Sequence, residues 1–172
     1  MTDEWKTILW HQLGATIDML ENAMHACPDH LWSKPDEKPA WVNRDVVGFW
    51  YLVYHTLFWL DFYLAETSEG FAPPAPFTLD EFDPAGLLPE RPYTKDELQR
   101  YLNHCRQKCR ASIEALEDER PSTRRKFSWG EVSAVELMLY NMRHVQHHVA
   151  QLNLLLRQTI DSAPRWVARA RS

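Results

Sequence analysis

The chain has 172 residues, of which 45% are hydrophobic, and a formal net charge of −5. This size and composition predict one globular domain over 1–172, with a core over about 3–160 and a C-terminal tail over 161–172. A mildly acidic chain without a basic stripe argues against nucleic acid as the main partner. No apolar run is long enough to span a membrane, and the N-terminus lacks a signal-peptide pattern, so we expect a cytoplasmic protein without a membrane partner.

The spacing of apolar residues predicts long amphipathic helices and no strands. In chain order, the helices are expected over about 3–26, about 44–66, from the capping box Thr94–Glu97 to about 118, and about 131–160. The segment 28–42 is expected to be a proline-marked loop in which Leu31 and Trp32 pack back onto the core. The tail after Pro164 is expected either to dock on the domain or to fray.

The connection over 67–93 contains prolines that exclude regular helix and central strand. A connection of this length inside one domain is uncommon and is often functional. It either covers one mouth of the helical core or packs on the outside. The sequence therefore predicts an all-α fold, namely a four-helix bundle with a long crossover connection between the second and third helices.

Two histidines on the last helix lie one turn apart. His144 and His148 are neighbours on one face because helical residues three and four apart are adjacent, and Gln151 follows on the same side. The apolar stripe of this helix centres near Val145, which turns both imidazoles partly inward, whereas His147 points further out. Two such imidazoles can bind one transition-metal ion.

A third histidine, His55, lies at the centre of the aromatic surface of the second helix. A neutral imidazole buried there needs a hydrogen-bond partner or a metal. Alone, it is more simply a core histidine bonded to a neighbouring side chain. Together with His144 and His148, it can form a three-imidazole site with open coordination positions if the two helices pack together.

The chemistry of such a site is bounded by what the chain lacks. Asn141 and Leu52 stand three residues before His144 and His55, so the Glu-x-x-His pairs of di-iron bundles are missing. Zinc-protease and phosphate-loop motifs are missing too. All-nitrogen ligation suits zinc, nickel, copper(II) and ferrous iron alike, and the sequence does not separate them. We expect a divalent transition metal, zinc or nickel before iron or copper. Such a metal lowers the pKa of a bound water or thiol.

Other polar residues near the site have weaker claims to a role. Gln151 could orient a bound water or ligand, and Tyr51 and Tyr54 are the nearby proton donors. Cys105 and Cys109 are one helical turn apart, where a disulfide does not fit. They are interpreted as small buried hydrophobic residues, with soft-metal binding as the alternative.

These residues resemble the DinB-like (damage-inducible) four-helix-bundle proteins over roughly 3–158. The resemblance rests on His55-Thr-Leu-Phe-Trp in an aromatic second helix, on His144-Val-Gln-His-His148-Val-Ala-Gln151, and on Leu31-Trp32 after the first helix. It implies a divalent metal bound by His55, His144 and His148, and often a homodimer. It also implies a kinship with transferases or isomerases that use low-molecular-weight thiols.

Two hypotheses follow for the function. The first is a metal-dependent enzyme, a transferase (thiol-dependent) or a hydrolase, that acts on a small-molecule substrate. The second is a non-catalytic stress-response or binding module in which the metal is structural or the histidines belong to the core. The second predicts that an apolar residue at His55 costs little stability, because a buried polar group is removed.

Overall fold

The computed structural model describes residues 4–34, 48–65, 69–116 and 124–170. The prediction of a mainly helical protein is confirmed. The helices are α1 (Glu4–Ala26), α2 (Asp29–Trp32), α3 (Phe49–Tyr63), α4 (Lys95–Glu114) and α5 (Ala134–Ile160). A small antiparallel hairpin is formed by β1 (Arg125–Phe127) and β2 (Gly130–Val132), and a 3-10 helix covers Asp80–Phe82.

The four long helices bury their apolar faces on one another. Helix α1 packs against α4 and α5, and helix α3 packs against the same two helices. The shared core is aliphatic in α1 and α5 and strongly aromatic in α3. Its fully buried members include Leu13, Ile17, Leu20, Phe49, Trp50, Tyr54, Phe58, Leu98, Val145, Val149 and Leu152. Among the described helices, none combines the length and the apolarity of a membrane span.

Helix α3 begins later than its apolar run predicts. The predicted start, 44–47, lies outside the described residues, but Gly48 is not helical, because its φ is +89° and its ψ is −178°. A Cβ atom at Gly48 would lie 2.6 Å from the Lys34 carbonyl oxygen, so the backbone of the α2 region passes directly over it. The helix also ends at Tyr63, before the expected 66.

Replacing Gly48 by alanine is expected to lower the free energy of unfolding by about 1–3 kcal/mol, because both the backbone conformation and the space exclude a side chain. Gly70→Ala is the matched control, since Gly70 has a φ of +76° but nothing within 4 Å of an added Cβ. Urea denaturation of both variants measures the difference. If Gly48→Ala lowered the free energy of unfolding no more than Gly70→Ala does, the close approach of the Lys34 carbonyl oxygen would be contradicted.

Four other expectations about local structure need correction. The segment before the last helix is a β-hairpin, so α5 starts at Ala134 with Ser133 as its N-cap and not near 131. The prediction that the chain has no strands is therefore wrong for this short stretch. Helix α4 has the expected capping box but ends at Glu114, before 118. Part of the loop expected over 28–42 is the short helix α2.

The segments flanking the long helices are held by specific contacts. Leu31 and Trp32 are buried as expected, and the Trp32 indole N–H donates to the Tyr93 carbonyl oxygen at 2.9 Å. The C-terminal tail docks: the Ala170 backbone N–H donates to the His11 carbonyl oxygen at 2.9 Å. Both contacts hold segments outside the four long helices against the helical core.

Candidate metal centre

Three histidines from two packed helices come together at the α3–α5 interface. His55 comes from α3, and His144 and His148 come from α5. One potential ligand atom from each lies within 4.8 Å of the other two. The ring centroids are 4.8 Å apart for His55 and His148, and 4.6 Å apart for His144 and His148. The group could hold one metal ion.

The helix geometry explains why these side chains converge. In α5, Val145, Val149 and Leu152 are fully buried, and this stripe turns the shoulder positions His144 and His148 toward α3. In α3, the residues around His55 are mostly apolar or aromatic. Its imidazole is half-buried, with 27% of the side chain exposed. His147 is exposed, and it is not among the three histidines that converge, although its ring centroid lies 5.1 Å from that of His148.

A buried carboxylate from the connection between α3 and α4 fixes His55. Glu81 Oε2 lies 2.7 Å from His55 Nδ1 and accepts from the Trp59 indole N–H at 2.9 Å. Glu81 Oε1 accepts from the Tyr51 hydroxyl at 2.6 Å. The three partners stand four residues apart, on one ridge of α3. With Nδ1 engaged, His55 presents Nε2 as its free nitrogen.

The ionised form of Glu81 suits this role. Burial by itself raises the pKa of this carboxyl, but the hydrogen bonds from His55, Tyr51 and Trp59 outweigh it and lower the pKa to about 2. Only 2% of the Glu81 side chain is exposed. A buried carboxylate bonded to the ring nitrogen of a metal-binding histidine fixes the orientation of the imidazole and raises its basicity.

Gln151 has the corresponding role for His148. Its Oε1 atom lies 2.7 Å from His148 Nδ1, and its Nε2 atom lies 3.3 Å from His147 Nε2. We expected Gln151 to orient a water or a ligand. The structure indicates a different role, because the amide contacts His148 itself. His148 then presents Nε2, as His55 does.

His144 is the least satisfied member of the group. Its Nδ1 atom is buried and has no hydrogen-bond partner among the described residues. Burial, followed by the neighbouring His148 and His55, lowers the pKa of His144 to about 3. Burial and His55 likewise lower the pKa of His148 to about 4. Both rings are therefore neutral near pH 7, which is the form that binds a metal.

The remaining candidate residues are engaged elsewhere. The Tyr54 hydroxyl donates to the Thr78 carbonyl oxygen at 2.9 Å, and burial raises its pKa. Cys105 and Cys109 are fully buried, and desolvation raises the pKa of both thiols, that of Cys109 to about 12. Both cysteines are thus small buried core residues, as interpreted. Of the two expected proton donors, Tyr51 contacts the site through Glu81.

Sequence reasoning missed Glu81. It belongs to the acidic stretch Asp80-Glu-Phe-Asp83, whose residues look alike in sequence. The distinguishing signal is weak: Glu81 precedes Phe82, whose ring packs on Phe58, Trp59 and Phe62 of α3 with centroids at 5.0–5.6 Å. An acid next to an aromatic anchor inside a proline-rich connection indicates a docked segment.

The fold and this site together define a helical protein with a potential three-histidine metal centre. A family model of the DinB superfamily matches residues 12–152, which include all three histidines. The chain therefore belongs to the DinB superfamily, and the resemblance inferred from His55, His144-x-x-x-His148 and Gln151 is confirmed. No curated protein and no solved structure matches the chain.

Proposed function

We propose that this protein binds one divalent transition metal through His55, His144 and His148. The observation that carries the proposal is the pair of hydrogen bonds at Nδ1, from His55 to Glu81 and from His148 to Gln151, both at 2.7 Å. Metal-binding histidines usually have such a partner on the second ring nitrogen. The unsatisfied buried nitrogen of His144 supports the same proposal, since a ligand there would offset its desolvation.

We further propose a single-domain four-helix bundle in which the α3–α4 connection crosses over the metal side of the core. The mutual packing of α1, α3, α4 and α5 supports it. A homodimer and a cytoplasmic location are part of the proposal and rest on the family resemblance and the sequence. Zinc, nickel, iron and copper all suit the three-imidazole donor set, and we propose zinc or nickel, with iron or copper as alternatives.

The proposed activity is a metal-dependent transferase, using a low-molecular-weight thiol, or a hydrolase, acting in either case on a small molecule. When bound, the metal supplies Lewis-acid chemistry that activates a thiol or a water as a nucleophile near neutral pH. Glu81 and Gln151 hold two imidazoles in position, and burial keeps His144 and His148 unprotonated. Three protein ligands leave coordination positions open for the reactants.

Elemental analysis of tag-free protein, purified without added metal, tests the proposal. We expect about one metal ion per chain in the wild type, as one ion for the three ligands of a single site implies. The triple variant His55→Ala/His144→Ala/His148→Ala should contain none, and His147→Ala, one step outside the group, should retain the metal. If the protein contained no stoichiometric metal even after reconstitution, the three histidines would be core residues and the proposal would fail.

The alternative function is a non-catalytic binding or stress-response module. The observation that favours it is the Glu81 carboxylate itself, because it satisfies His55 Nδ1 without any metal. This alternative shares the fold and the histidine cluster. It differs because it requires no open coordination position. The wild type should then have no exchangeable ligand on the metal, and it should not turn over thiol-transfer or hydrolytic substrates.

The metal-free protein should lose stability as the pH falls. The pKa values of His144 and His148 are lowered in the folded state, so below about pH 6.5 the unfolded chain binds more protons, and protonation favours unfolding. We expect the free energy of unfolding to drop by about 2–4 kcal/mol between pH 7 and pH 5. Urea titrations of metal-free protein measure it.

The same titrations identify the groups responsible. His144→Gln should remove about half of the slope, since it deletes one of the two histidines whose pKa values are lowered in the folded state. His147→Gln should leave the slope unchanged, because that side chain is exposed. An identical slope in His144→Gln would show that other groups control the acid response.

A further inference from the structure

A cavity lies between α1, α5 and the C-terminal tail. Its volume is about 660 Å³, which is within the range of small-molecule sites. His144 lines one side of it, while His55 and His148 do not. The tail residues Trp166 and Val167 complete the wall, and they lie beyond the match to the DinB superfamily at 12–152. The cavity therefore depends on a segment that the family match does not include.

The tail is fixed against α1 at several points. Ala170 N–H donates to the His11 carbonyl oxygen at 2.9 Å, and Gln12 Nε2 donates to the Ala168 carbonyl oxygen at 3.4 Å. The approach is close, since a Cβ atom added at Gly14 would lie 2.7 Å from the Ala170 Cβ. Trp166 nevertheless leaves 69% of its surface exposed at the edge of the cavity. A large aromatic ring held at a cavity edge is available to a ligand.

The charge of the lining is one-sided. Arg143 lines the cavity, and among the described residues no aspartate or glutamate lines the cavity. Its guanidinium makes no hydrogen bond or ion pair with the described part of the chain, whereas Arg106 pairs with Asp18 and Glu21. An unpaired arginine in a concave surface is suited to a carboxylate, which it can bind through two parallel hydrogen bonds.

Apart from Arg143, the imidazoles of His144 and His147 and the hydroxyl of Thr16, the lining consists of apolar and aromatic side chains with two amides. Met19 and Met142 offer adaptable thioethers, and Tyr140 and Trp166 offer aromatic surface. Gln12 and Gln146 provide neutral hydrogen-bonding groups. A ligand that fits this arrangement has one anionic end and a flat or aliphatic body.

We propose that this cavity binds a small organic acid, with the carboxylate on Arg143 and the apolar body between α5 and the tail at Trp166. This proposal goes beyond the metal site and does not require that the histidines hold a metal. The one-sided charge selects an acid over a neutral or cationic molecule of the same shape.

Calorimetric titration with matched probes tests the proposal on the full chain, both metal-loaded and chelator-treated. The probes are 4-phenylbutyrate, octanoate and their neutral amides. We expect the acids to bind about tenfold more tightly than the amides, as one charge-assisted pair implies. Arg143→Gln should abolish this preference while leaving the weak binding of the amides unchanged. Arg157→Gln, on an exposed site of the same helix outside the cavity, should retain it.

Gly14→Ala provides an independent variant, because it displaces the tail without touching Arg143. It should weaken acids and amides alike, and tryptophan fluorescence of Trp166 reports the displacement when compared with Trp166→Phe. Equal binding of acids and amides, or no binding of any probe at millimolar concentration, would overturn the proposal. So would sedimentation showing that Arg143→Gln dissociates a dimer, because the cavity would then be an interface between copies.

Discussion

Chelation of the proposed metal is expected to lower the melting temperature of the wild-type protein by about 8–16 °C. A metal present at a thousand times its Kd stabilises the folded state by about 4 kcal/mol, and each kcal/mol shifts the melting temperature of a chain of this size by about 2–4 °C. His55→Ala and His148→Ala should melt at the same temperature with and without chelator. Differential scanning calorimetry measures all three.

The controls separate the metal from the core. His147→Ala should respond to chelator as the wild type does, since that imidazole is exposed and outside the group. His55→Leu tests the alternative function directly. If it melts at or above the wild-type temperature, and chelator has no effect on either protein, then His55 is a core residue and the metal proposal fails.

Removal of the Glu81 carboxylate is the second large effect that we expect. Glu81→Gln should weaken metal binding about 10–100-fold, because the amide can no longer accept from all three donors and His55 loses its fixed orientation. Glu81→Ala should in addition lower the free energy of unfolding by about 3 kcal/mol, because it removes the carboxylate that accepts from the half-buried side chains of His55 and Trp59. Competition with a fluorescent chelator measures the affinity, and urea denaturation measures the stability.

Glu90→Gln is the matched control for Glu81. It removes one acid from the same connection, but Glu90 is exposed, so neither metal affinity nor stability should change by more than the scatter of the measurement. Unchanged affinity in Glu81→Gln would mean that packing alone orients His55. An effect of equal size in Glu90→Gln would indicate a general loss of negative charge near the site.

The convergence of the three histidines could be predicted from sequence because helical periodicity fixes the face on which each of them lies. His144 and His148 are one turn apart on the edge of an apolar stripe, and the burial of that stripe turns them inward. His55 stands in an apolar helix that has to pack on another. Helix type and the position of each face therefore follow from the 3.6-residue period alone.

The orienting carboxylate could not be predicted in the same way. Glu81 is in irregular backbone, where no period relates a residue to the surface it faces. The hairpin over 125–132 was missed for a related reason: its strands have three residues each, which is too short for alternation to be recognised. At Gly48 the apolar run predicted helix where there is none. The run continues through this position, but the φ of Gly48 excludes a helical conformation.

The contact between His55 and Glu81 has a consequence for the order of folding. These residues are 26 positions apart, whereas His55 and His144 are separated by 89 positions. Closing the shorter loop costs about 1 kcal/mol less entropy, so the carboxylate can position its imidazole before α5 docks. We therefore expect the metal-dependent phase of refolding to come last. Stopped-flow refolding with and without metal measures this, and a change in the rate of the earliest phase on adding metal would contradict it.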